Sequence, residues 1–114
     1  MPAPEGFVHV GSAAEVPVGS GLAVEVAGRR IAVFRVGEGL LESFHAIDDR
    51  CPHQGSPLSA GSCVDGVVTC PWHGWRFRVT DGAWTAAPAN RNACYDVHAE
   101  AGELYVNPVP RDSR

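Results

Sequence analysis

The sequence predicts an all-β chain. Three observations carry that prediction: short runs in which apolar and polar residues alternate, turn signals built on glycine between them, and no segment with a 3.6-residue apolar period sustained over three turns. Phe7-Val8-His9-Val10 alternates and opens the first strand. Ser12-Ala13-Ala14-Glu15-Val16 predicts one short helical turn, with Ser12 as cap and Glu15 completing a capping box. Leu22 to Val26 and Ile31 to Val36 predict a hairpin with Gly28 in its turn, and Gly37-Glu38-Gly39 breaks the chain before a strand-like run from Leu40 to Ile47. Gly66-Val67-Val68-Thr69 feeds directly into Cys70, and Trp75 to Val79 alternates toward an Asp81-Gly82 turn. Tyr95 to Glu100 and Glu103 to Val106 flank Ala101-Gly102 as a last hairpin, and Pro108 to Arg114 reads as a frayed tail.

Composition bounds the function without naming it. A chain of 114 residues, 45% hydrophobic and 19% charged, reads as one globular domain, 1–114, with no room for an appended catalytic domain. A net charge of −4 argues against nucleic acid or an anionic membrane as partner. The first residues show neither a basic start nor an apolar run, and nothing approaches a membrane span, so the expectation is a soluble cytoplasmic protein.

The chemistry is concentrated in two short segments. Cys51-Pro52-His53 and Cys70-Pro71-Trp72-His73 each place a cysteine and a histidine on a Pro/Gly-bounded loop. Pro52 and Pro71 stiffen the turns, and Gly55 and Gly74 follow the ligands, where backbone N–H groups can approach a bound inorganic sulfide. Two thiolates and two neutral imidazoles can hold an asymmetric iron–sulfur cluster, sulfur on one iron and nitrogen on the other. Exchanging two thiolates for imidazoles removes two negative charges, which raises the potential to roughly −150 to +300 mV from about −400 mV for all-cysteine plant-type clusters. A structural zinc site uses the same four donors, and a zinc-stabilised interaction module is the competing reading. Zinc sites, however, pair like with like in C-x₂₋₄-C and H-x₃₋₅-H, and neither loop here does so.

The C-x-H and C-x-x-H pairs resemble the ligand motif of Rieske proteins, and the resemblance spans essentially the whole chain. It implies the Rieske iron–sulfur fold, an antiparallel β-sandwich or incomplete barrel with a small cluster-binding subdomain at about 44–88. It further implies one [2Fe-2S] cluster, with Cys51 and Cys70 on one iron and His53 and His73 on the other, nearer the surface. Ala86-Ala87-Pro88-Ala89 falls where the family places a proline-containing loop that shields the cluster. Respiratory and photosynthetic members tie their ligand loops with a disulfide at positions matching Ser56 and Trp72, and carry hydroxyls at positions matching Trp75 and Phe77. This chain has none of those groups, and fewer hydrogen bonds to cluster sulfur lower the potential, so the soluble low-potential kind is expected, in the lower half of the range.

Low-potential soluble members of this size are similar to two groups. One is the ferredoxin that carries a single electron from an NAD(P)H-dependent flavin reductase to a ring-hydroxylating oxygenase. The other is the small subunit of assimilatory NAD(P)H-nitrite reductase. The ferredoxin is preferred because the chain stands alone. In either case the protein is an electron carrier or oxidoreductase component, not itself an enzyme. With four residues assigned, only His9, His45 and His98 remain as histidines, and no mononuclear-iron site of two histidines and a carboxylate is expected from them. Trp72 and Trp75 are candidates for an apolar docking rim or for core packing. Gln54 and Arg50 are expected to be solvated, and Cys63 and Cys94 to be small, half-buried and reduced, with a bridge between them left open.

Overall fold

The computed structural model describes residues 4–37, 42–51, 56–72 and 74–111. In chain order the strands are β1 (Val8–Ser12), β2 (Gly21–Val26), β3 (Arg29–Val36), β4 (Ser43–Asp48), β5 (Ser62–Val64), β6 (Val67–Thr69), β7 (Arg76–Arg78), β8 (Cys94–Tyr95), β9 (Val97–Glu100) and β10 (Glu103–Val106). All pairings among them are antiparallel, in three sheets ordered β1-β10-β9, β2-β3-β4-β8 and β5-β6-β7. The all-β expectation therefore holds. The predicted helical turn is a single 3-10 turn, Ala13–Glu15. The expected capping box of Ser12 and Glu15 is present, with the Glu15 carboxylate accepting the Ser12 N–H at 2.7 Å. Leu40 and Leu41, expected to begin β4, lie outside the described residues.

Three hairpins turn through two residues each, and all three use the same chemistry. Ala27-Gly28, Asp65-Gly66 and Ala101-Gly102 have positive φ at both positions (53° and 79°, 52° and 80°, 52° and 79°). That is the type I′ turn, whose twist matches the strands it joins, and glycine at its second position carries no steric penalty there.

The central sheet explains the layering. Ile31, Ala32, Val33 and Phe34 are four consecutive residues at 0% exposure, which a strand achieves only when both its faces are covered. Side chains alternate with period 2. Ile31, Val33, Ala46 and Tyr95 pack with Leu104 and Val106 of the β1-β10-β9 sheet. Ala32, Phe34, Ile47 and Cys94 pack on the other side with Cys63, Val68 and Phe77 of the β5-β6-β7 sheet, and with Cys51 and Cys70. One core holds the basal sheets together; the other supports the candidate ligands.

Tyr95 sits at the basal core with no exposed surface. Its hydroxyl donates to the Asp48 carboxylate and accepts from Arg29 at 3.3 Å. Burial first, and then the bond to Asp48, push the Tyr95 phenol up to about 12. A raised phenol pKa means the fold favours the neutral form. Its contribution to stability is complete below the unfolded value near 10 and is lost as pH rises from about 10 to about 12. Denaturant midpoints measured across that window are expected to fall more steeply for the wild type than for Tyr95→Phe.

Candidate functional site

Cys51 lies three residues beyond the end of β4, on the loop that the central sheet projects. Its N–H donates to the Ser56 carbonyl at 2.8 Å, closing the loop on itself. Cys70 directly follows β6, and its N–H donates to the Trp75 carbonyl at 2.7 Å. Each cysteine is thus fixed by a bond to the carbonyl five residues onward, a link that the two loops share. Gly74, with φ of 72°, returns its N–H to the Cys70 carbonyl at 3.1 Å and tightens the second loop further.

The two cysteines, 1% and 2% exposed, belong to one apolar cluster with Ile47, Leu58, Val68, Phe77 and Val79. Pro52, His53, Gln54, Gly55 and His73 lie outside the described residues. The structure therefore brings Cys51 and Cys70 together on adjacent loops. Two soft sulfur donors in an apolar shell suit a thiolate-bound metal centre. A second observation fits as well: the Ser56 hydroxyl, beside Cys51, is buried with no hydrogen-bond partner among the described residues.

The base of the first loop is clipped by a residue that motif reading passed over. Asp49 is 1% exposed, and its carboxylate accepts the Ser59 N–H at 2.7 Å and the Ser59 hydroxyl at 2.8 Å. Its own N–H donates to the Arg30 carbonyl at 3.0 Å, tying the loop to β3. The signal was present as an acidic pair, Asp48-Asp49, ending an apolar strand. Asp49→Ala leaves two buried donors unmet. It is expected to cost about 3 kcal/mol, charged acceptors contributing more than neutral ones, as read from denaturant midpoints.

Other residues take clear places. Cys63 is a free thiol, so no Cys63–Cys94 bridge forms, and burial pushes the Cys63 thiol up, which keeps it protonated. Trp72 is 60% exposed on the second loop, while half-buried Trp75 stacks on Trp84 at 4.1 Å and 10°. That stack was not legible from spacing. Ala86 and Pro88 are exposed, in a segment that turns through hydrogen bonds from Ala87 to Trp84 and from Asn90 to Ala87. His9 and His98, on the β1-β10-β9 sheet, contact Glu103 at 2.6 Å and Glu100 at 3.0 Å. His45 meets Ser43 at 2.9 Å on β4 and is held below the usual imidazole range by burial and then by the Arg111 charge. Arg50 is exposed.

The Rieske [2Fe-2S] domain family model matches residues 6–107. The ferredoxin subunit of 3-phenylpropionate/cinnamic acid dioxygenase from Shigella flexneri is 34% identical over 96 residues, which cover 82% of this chain and 86% of that protein. The ferredoxin of carbazole 1,9a-dioxygenase from Nocardioides aromaticivorans superposes with a TM-score of 0.78 at 31% identity, covering 90% of this chain and 97% of that one. An NADH-dependent nitrite reductase small subunit from Mycobacterium tuberculosis gives the same TM-score of 0.78 at 23% identity over 88% of this chain and 92% of that one, a likeness of fold alone. The chain spans only 16% and 17% of the first two curated relatives it matches.

Proposed function

Because this chain belongs to the Rieske [2Fe-2S] domain family, we propose that it carries one electron on a single [2Fe-2S] cluster held by Cys51, His53, Cys70 and His73. The observation that carries the reading is the pair of buried cysteines, fixed by matching backbone bonds on two adjacent loops. When bound, the cluster supplies a one-electron couple. The protein's share is to hold the donors rigidly, so little rearrangement accompanies a change of charge, and to keep water from the sulfur side with Leu58, Phe77 and Val79. His53 and His73 would hold the second iron, and Trp72, exposed on the second loop, offers apolar contact area to a redox partner.

The donor is an NAD(P)H-dependent flavin reductase and the acceptor a ring-hydroxylating terminal oxygenase. The support is likeness over nearly the full length of two dioxygenase ferredoxins. Among the described residues no helix is long and apolar enough to cross a membrane, and the protein is proposed to work in the cytoplasm as one domain.

Optical and EPR spectra before and after dithionite test this directly. A red-brown protein that bleaches on reduction and gives a rhombic signal of low average g is expected. A colourless, EPR-silent protein with stoichiometric zinc would leave the interaction-module reading instead. The potential should also fall at alkaline pH, because metal-bound imidazoles lose protons there and the added negative charge favours the oxidised form. A midpoint that stays flat to strongly alkaline pH would count against the two histidine ligands.

A further inference from the structure

We infer that the Ser56 hydroxyl donates a hydrogen bond to sulfur of the centre held between Cys51 and Cys70, and so raises its reduction potential. The inference rests on the cluster proposed above. Ser56 is 1% exposed, and its Oγ has no partner among the described residues. Buried hydroxyls in folded proteins almost always find a partner. The others here do: Ser59 donates to Asp49 and Tyr95 donates to Asp48. Cys51 itself lies in an apolar cluster with Ile47, Leu58 and Phe77.

Its position is also specific. The Ser56 carbonyl takes the Cys51 N–H at 2.8 Å, which sets the residue's backbone against the sulfur donor. Trp75 holds the equivalent place in the second loop, where its carbonyl takes the Cys70 N–H at 2.7 Å. There the side chain stacks on Trp84 and carries no hydroxyl. Ser56 is therefore the hydroxyl at the matched place of the two loops. A donor to sulfur bonds the more negative, reduced state more strongly, which moves the potential upward.

Potentiometric titration of the holoprotein followed by EPR tests this. Ser56→Ala is expected to keep the Rieske spectrum and to lower the midpoint, changing the reduced-to-oxidised ratio by up to about tenfold, ~59 mV for one electron. Ser56→Cys, which keeps a weaker donor in nearly the same volume, is expected to fall between the two. Resonance Raman iron–sulfur bands of the wild type should shift in D₂O by more than those of Ser56→Ala. A Rieske spectrum with an unmoved midpoint in Ser56→Ala would overturn the inference and make a buried water the partner. Should Ser56→Ala lose its cluster, Ser56→Cys decides: a lowered midpoint supports the role, while a wild-type midpoint or loss of the cluster overturns it. A wild type without a Rieske spectrum would defeat the cluster proposal itself, an outcome separate from these.

Discussion

Cys70→Ala is expected to yield a colourless protein with no EPR signal after dithionite, and Cys51→Ala the same. Each removes one of the two proposed sulfur donors, which share a buried cluster with the thiols of Cys63 and Cys94. The fold loses stability along with the metal, because binding to the folded state contributes its free energy to folding. Cys63→Ala and Cys94→Ala are the internal controls. Both residues belong to the same buried cluster, yet they sit on β5 and β8 and not on the two ligand loops. Each is expected to keep the visible spectrum and to lose only about 1 kcal/mol, the scale of one small buried group. Loss of colour in either control, with colour retained in Cys51→Ala or Cys70→Ala, would transfer the ligand role to the strand cysteines.

Gly61→Ala is expected to be strongly destabilising, although the residue binds nothing. Gly61 ends the 3-10 turn Leu58–Ala60, which leads out of the first ligand loop. A Cβ there would collide with the Thr69 carbonyl oxygen and stand 3.1 Å from that of Leu58. Both obstacles are backbone, so neither can swing aside, and Thr69 directly precedes Cys70. The methyl would therefore push apart the segments that carry the two cysteines. A loss of about 3 kcal/mol is expected, toward the upper end for overpacked sites. For a domain of this size that corresponds to a Tm lower by roughly 10–15 °C. Iron content per protein should fall with it. A variant with wild-type Tm and full iron would show that the two segments separate without consequence.

The contrast between those substitutions marks where sequence reading reaches and where it stops. Cys51 and Cys70 stood out as candidate ligands because metal chemistry demands particular atoms at short chain separations, as in a C-x-H beside a C-x-x-H. Two of the three I′ hairpins, at Ala27-Gly28 and Ala101-Gly102, were legible for a similar reason, a two-residue turn with positive φ asking for glycine locally, while β5 and its Asp65-Gly66 turn were not read as a hairpin. Gly61 gave no such signal, since its φ is ordinary and its constraint comes from a strand eight residues away. Asp49 offered only the acidic pair Asp48-Asp49 at a strand end, and Ser56 no local signal of its own. One is a carboxylate whose partners lie ten residues on, and the other a hydroxyl whose significance depends on being buried without one.

Spacing and period thus determined the class of fold, two of the three hairpin turns and the candidate ligand set, because those follow from forces acting within a few residues. Tertiary structure decided the faces. On β8, Cys94 turns toward the cysteine-bearing core while adjacent Tyr95 turns to the basal core. Only the register of β8 against β4, with Ala46 opposite Tyr95 and Ile47 opposite Cys94, makes that choice. A strand's alternation states that neighbours face opposite ways, and burial on both sides removes the polar residues that would say which way is in.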